Sequence, residues 1–157
     1  MWIDVPFVQQ EKNACGAAAV SMLMQYWTRH GSPSHGDAAD QLQIQQALYS
    51  PDARGIYASA IENYLREHGF ETFVLRGSWD DLHDHLVKGR PLMVALQPSG
   101  RDVPLHYVVV AGIGPGEVLL NDPARRKLLK QDQASFTREW KAAGNWTLLV
   151  VPGAGAR

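Results

Sequence analysis

Cys15 is the only cysteine among 157 residues, so an intramolecular disulfide is excluded. Its flanks differ from those of a packing thiol: polar Gln9, Gln10, Glu11, Lys12 and Asn13 precede it, and a run rich in Ala, Val, Met and Leu follows. In the first turn of a helix, exposed N–H groups and the helix dipole favour thiolate over thiol. A thiolate nucleophile needs an imidazole to move protons and a further group to orient that imidazole. Both residue types are present. His106 begins the apolar stretch His106–Gly112, and Asp122 follows sixteen residues later at the end of Val118–Asp122. A Cys–His–Asp set performs acyl transfer through a thioester. Each member alone has a blander role, as a buried small hydrophobe, a satisfied strand-end histidine, or a turn cap before Pro123. The combination is what points to chemistry.

To meet, these residues need particular elements. Val20, Leu23, Met24 and Trp27 repeat at the spacing of one buried helix face. Asn13 is the expected N-cap, which places Cys15 in the first turn, and Gly31–Ser34 ends the helix. Further helices are expected over Asp37–Leu48 and Tyr57–His68, the latter stopped by Gly69, with Ser50–Gly55 as a loop between them. Phe70–Leu75 reads as a strand. Ser78 and Asp81 form a capping-box-like start to a helix that runs to Lys88–Gly89. From Pro91 the texture becomes β, with strands over Leu92–Leu96, Tyr107–Ile113 and Glu117–Leu120 and a brief one at Leu128–Leu129. A helix over Ser135–Ala143 and a strand over Trp146–Val151 close the chain. Gly114–Pro115–Gly116 signals a tight hairpin, which brings His106 and Asp122 to the same open end. Helices first and an antiparallel sheet later make the fold class α+β.

The ordered pieces Val5–Pro6–Phe7, a glutamine shortly before Cys15–Gly16, His106–Val110 and Asn121–Pro123 resemble a known family. It is the papain-like cysteine peptidase domain that trims double-glycine leaders from bacteriocin precursors, together with its free-standing bacterial relatives. The resemblance covers nearly the whole chain and implies a papain-like fold, with N-terminal helices packed on a C-terminal antiparallel β-sheet. It further implies Cys15 as nucleophile, His106 as base and acid, Asp122 as the orienting group and a glutamine side chain as oxyanion donor. Gln9 lies six residues before Cys15, the spacing most common in the leader peptidases, and Gln10 five, the spacing of the free-standing relatives; the resemblance leaves both open and favours Gln10. Ala17 stands where relatives commonly have Pro, a change that a helix accommodates readily. No metal or organic cofactor is implied. The implied substrate is a peptide or protein segment in extended form, cut after a small pair such as Gly-Gly. Two other readings keep the same residues: an acyltransferase or transglutaminase-like enzyme, and a non-catalytic peptide-binding module.

Bulk properties agree with one domain over 1–152 and a disordered tail over 153–157, since a chain of this length buries roughly 70% of its unfolded surface. With 15 basic and 16 acidic residues the formal net charge is −1, which gives no electrostatic footprint for nucleic acid or a membrane surface. Arg125–Lys127 reads as a solvated turn. No apolar stretch reaches the ~18 residues that span a bilayer, and no signal peptide is visible. The expectation is a cytoplasmic protein, although an exported parent with its signal removed would read identically. His83 and His85, two apart on a helix, face different ways, and His30 and His35 straddle helix breakers, so no metal site is expected. The five tryptophans are expected in the core and cleft walls. Gly31–Gly55 is expected to border the cleft.

Overall fold

The computed structural model describes residues 1–99 and 103–153; residues 154–157 of the expected tail lie outside them. The elements in chain order are helix α1 (Cys15–Arg29), a 3₁₀ turn (Gly36–Ala39), α2 (Gln41–Leu48), β1 (Tyr49–Ser50), β2 (Gly55–Ile56), α3 (Ala58–Glu67) and β3 (Phe70–Arg76). They continue with α4 (Trp79–Val87), β4 (Leu92–Leu96), β5 (His106–Gly114), β6 (Glu117–Asn121), β7 (Leu129–Asp132), α5 (Gln133–Ala142) and β8 (Trp146–Pro152). Six strands form one antiparallel sheet in the order β3-β8-β4-β5-β6-β7, and β1 pairs with β2 in a separate hairpin.

Side-chain alternation along the central strands divides the apolar residues between two cores. Met93, Ala95, Tyr107, Val109, Leu148 and Val150 pack with α1, Ile44 of α2 and Ile61 and Leu65 of α3. Their neighbours Leu92, Val94, Leu96, Val108, Val110 and Leu149 pack with Leu82 and Leu86 of α4 and Phe136 and Trp140 of α5. Helices on both faces explain why β4 and β5 are continuously apolar rather than alternating. The expected layering therefore holds with an addition: α4 and α5 cover the second face of the sheet. Helix α1 is buried from Gly16 to Met24 rather than along one stripe, and small Ala17, Ala18 and Ala19 let it sit in the middle of the molecule. At ~1.5 Å per residue it runs roughly 22 Å from the cysteine inward.

Local chemistry departs from expectation at several points. The residue capping α1 is Ala14, not Asn13, and no side chain caps the helix. Asn13 instead adopts φ 58, a left-handed conformation that Asn tolerates better than most residues, and it closes the turn in which the Ala14 amide bonds Glu11 O. The helix expected over Asp37–Leu48 is broken at Asp40, whose carboxylate accepts from the Leu42 and Gln43 amides and starts α2 afresh. The expected loop Ser50–Gly55 contains a short ladder, Tyr49↔Ile56 and Ser50↔Gly55. The capping box at Ser78 and Asp81 forms as read.

The β5–β6 hairpin turns through Pro115 and Gly116, the latter at φ 69, as a Pro-Gly corner requires. Its register runs Gly114↔Glu117, Ile113↔Val118 and Gly112↔Leu119, then slips at Ala111 to Val110↔Leu120 and Val109↔Asn121. Such a bulge shifts every following side chain across the ribbon. The shifted ladder ends at Val109↔Asn121, and Asp122, the next residue, lies at the end of the hairpin where β5 begins with His106. Gly112 marks the bulge. A Cβ there would lie 2.8 Å from Leu119 Cδ1, Met1 O and Trp2 Cβ, because Met1–Ile3 bonds along this part of β5.

Candidate functional site

Three of the four residues singled out in the sequence, Gln10, Cys15 and His106, line one cleft of about 540 Å³, and Asp122 is buried beside His106 without lining it. Gln10, Asn13, Cys15 and Gly16 contribute from the start of α1 and the loop before it. Ala53–Ala58 contribute from the β1–β2 hairpin and the start of α3, while Pro98 and Val103–Tyr107 contribute from the approach to β5. Of the segment Gly31–Gly55, only Ala53, Arg54 and Gly55 reach the cleft, and no tryptophan lines it.

His106 Nε2 lies 2.7 Å from Asp122 Oδ1, which leaves Nδ1 as the ring nitrogen for Cys15. The His106 imidazole and the backbone amides of Tyr107 and Gly16 adjoin the thiol and favour its ionised form. Asp122 is buried and also accepts from the Ala124 amide at 2.9 Å. Burial alone would push the Cys15 thiol up, but the adjoining imidazole and charge of His106 and the Tyr107 amide together hold it below an ordinary thiol. Burial would likewise lower the His106 imidazole; its hydrogen bond to Asp122 and the adjoining Cys15 outweigh that and raise it to about 10. Burial opposes ionisation of Asp122 too, and the bond from His106 overrides it, so its carboxyl stays below the usual range. These directions agree with one another. They describe a thiolate–imidazolium pair anchored by a carboxylate. Tyr107, whose amide adjoins the sulfur, is pushed up to about 12 by burial and then by the neighbouring Cys15 charge.

The two glutamines are separated by their surroundings. Gln10 lines the cleft, whereas Gln9 is exposed and only its carbonyl is engaged. The Gln10 amide donates to Pro123 O at 2.9 Å, tying the loop before α1 to the residue after Asp122. Its buried side-chain oxygen has no hydrogen-bond partner among the described residues.

Three contributors were not legible in the sequence. The Tyr107 and Gly16 amides at the sulfur are backbone groups with no residue signature. Asn121, fully buried, donates to Val5 O at 3.0 Å and accepts from Leu128 N at 3.0 Å, so it links the N-terminal segment to the loop carrying Asp122. Its place beside Asp122 was the one available hint. Three of the five histidines outside the cleft bond backbone carbonyls: His30 Nδ1 pairs with Tyr26 O at 2.8 Å, His68 Nδ1 with Tyr64 O at 2.7 Å, and His35 Nε2 with His68 O at 2.7 Å. Arg125 and Arg126 are exposed, and Lys127 pairs with Asp4. No described helix is long and apolar enough to cross a membrane.

Comparison with known proteins places this geometry. The chain is 24% identical over 132 residues to the lactococcin-G-processing and transport ATP-binding protein LagD of Lactococcus lactis subsp. lactis. That match covers 84% of this chain but 17% of the relative's length. A crystal structure of a C39-like peptidase from Bacillus anthracis superposes with TM-score 0.70 at 18% identity, covering 94% of each chain. The peptidase domain of Streptococcus ComA, described as a bifunctional ABC transporter of a quorum-sensing pathway, gives TM-score 0.71 at 20% identity, covering 95% of this chain and 99% of that one. A double-glycine-motif protease from an AMS/PCAT transporter, crystallised with the leader peptide, gives TM-score 0.68 at 21% identity, covering 96% and 94%. These likenesses establish the papain-like fold of helices on an antiparallel sheet. The model of the Peptidase_C39-like family matches residues 2–148, so the chain belongs to that family of cysteine peptidases.

Proposed function

We propose that this domain hydrolyses peptide bonds with Cys15 as nucleophile, His106 as base and acid, Asp122 as its orienting group and Gln10 as oxyanion donor. The observation that carries the reading is that Cys15 and His106 line one cleft while His106 Nε2 is hydrogen-bonded to the buried Asp122, leaving Nδ1 for the thiol. In the first step the Cys15 thiolate attacks the carbonyl carbon. The developing oxyanion is met by backbone N–H at the uncapped start of α1 and by the Gln10 side chain. The His106 imidazolium then gives its proton to the departing amine as the C–N bond breaks, leaving a thioester on Cys15. Water, deprotonated by His106, attacks the thioester; the acid leaves and the thiolate–imidazolium pair is restored.

The substrate is an extended peptide cut after a small pair such as Gly-Gly. Two facts support this: the AMS/PCAT neighbour was crystallised with a leader peptide, and the cleft runs between the β1–β2 hairpin and the Val103–Tyr107 strand approach. The test is mass spectrometry of products from peptides carrying a Gly-Gly pair and from Val-Val counterparts, with and without a primary amine. Cleavage confined to the Gly-Gly peptides, with free acid as product, is expected. Products carrying the added amine would instead assign acyl transfer, and no turnover of any peptide alongside a reactive Cys15 would assign a binding module.

A further inference from the structure

We infer that Gln41, the first residue of α2, is a positioning residue that holds Gln10 in the orientation its oxyanion role requires; this rests on the proposed role of Gln10. The buried Gln10 side-chain oxygen has no hydrogen-bond partner among the described residues, so the aim of the side chain is set through its backbone. That backbone is gripped from both sides. Its own N–H donates to Pro123 O at 2.9 Å. The peptide groups on either side of it are taken by one side chain: Gln41 Nε2 donates to Gln9 O at 2.6 Å, and the Glu11 amide donates to Gln41 Oε1 at 3.0 Å. In an extended chain, a residue's own N–H points to one side while the preceding C=O and the following N–H point to the other. Gln41 therefore does with one amide what a neighbouring strand does, on the side opposite Pro123.

The supporting element is built to keep Gln41 still. Asp40 caps α2 through its bonds to the Leu42 and Gln43 amides, and Ile44 anchors the helix in the core formed with α1. Gln45, one turn on and on the same face, reaches Asn13 O at 3.5 Å and extends the grip toward Cys15. Neither Gln41 nor Gln45 lines the cleft, so the effect on chemistry runs through the loop. A glutamate at position 41 would retain an acceptor for the Glu11 amide and lose the donor to Gln9 O. It would also put a carboxylate in the first turn of α2, where the dipole favours it. Function and stability are thereby pulled apart.

The test compares two reactions of Cys15 in wild type, Gln41→Glu, Gln41→Leu, Gln10→Ala and the Gln10→Ala/Gln41→Glu pair. Acylation by p-nitrophenyl acetate develops an oxyanion; alkylation by iodoacetamide does not. Gln41→Glu should slow acylation about tenfold, the scale of one or two hydrogen bonds. Alkylation and the thermal midpoint should stay as in wild type. In the Gln10→Ala background the same change should cost nothing further, as expected when one residue acts through the other. Gln41→Leu should slow acylation at least as much. The inference is overturned if Gln41→Glu leaves acylation unchanged while Gln10→Ala slows it, or if the two losses multiply. If Gln10→Ala itself leaves acylation unchanged, the Gln10 assignment falls and the role of Gln41 falls with it.

Discussion

The two halves of the cleft are held in place by different means. His106 begins β5 and Asp122 directly follows β6, so the ladder of one hairpin, with its single bulge, delivers both to the same end, where they hydrogen-bond. Cys15 and Gln10 enter from a helix start and an irregular loop. That loop is kept in place by side chains and carbonyls distant in sequence: Gln41, Gln45 and Pro123, with Asn121 holding the segment upstream at Val5. The acid–base half is thus built from local, repetitive hydrogen bonding. The half proposed to supply the nucleophile and oxyanion donor depends on a few long-range contacts, each removable by one substitution. Catalytic geometry should be more sensitive to mutation on the loop side than its exposure suggests.

The largest effect is expected at the shared centre. Cys15→Ala should abolish peptide cleavage while leaving the far-UV dichroism intact. On the loop side, Gln10→Ala should lower kcat about 10²–10³-fold, the loss typical of one oxyanion donor, with KM for a Gly-Gly peptide little changed; a rise in KM with kcat unchanged would argue against the role. On the hairpin side, Asp122→Asn removes the bond that raises His106. In the proposed mechanism the active ion pair requires pH values above the depressed Cys15 ionisation and below the elevated His106 ionisation, so the wild-type alkaline limb of kcat/KM is expected near pH 10. In Asp122→Asn that limb should move to lower pH, and an unmoved limb would remove Asp122 from the acid–base half.

Smaller effects test the scaffolding. Gly112→Ala drives a methyl against Met1 O and Trp2 Cβ at 2.8 Å and should lower stability by about 1–3 kcal/mol in denaturant unfolding. Asn121→Ala leaves Val5 O and Leu128 N without their buried partner and should cost a similar ~1–3 kcal/mol. Asp40→Ala loses the α2 cap, worth about 1 kcal/mol. Because α2 carries Gln41, acylation by p-nitrophenyl acetate should fall with it.

What could be read in the sequence follows the same division. Cys15, His106 and Asp122 were visible because each sits at the junction of an apolar run and a turn signal, where periodicity and hairpin chemistry speak directly. The β5–β6 hairpin announced itself through Pro115–Gly116. The bulge did not, although Gly112 inside an apolar strand was its sign. Asn13 was misjudged as a cap because its left-handed turn depends on the preceding loop being docked elsewhere. The choice between Gln9 and Gln10 came from resemblance; exposure of one and cleft lining by the other now favour the same residue. Gln41 had no local signal, since its hydrogen bonds span 30 and 32 residues. The second helical layer was implicit in the uninterrupted apolar strands β4 and β5, which half-exposed sheets do not show.

The central claim is that Cys15 and His106 share an ion pair. Iodoacetamide labelling of Cys15 from about pH 4 to 9, in the intact protein and in His106→Ala, tests it without any knowledge of substrate. Rapid labelling well below the ~8.5 ionisation of a free thiol, moving up to that range in His106→Ala, is the predicted result. Slow labelling with an ordinary thiol profile in both proteins would contradict the pair, and with it the catalytic role of this cleft.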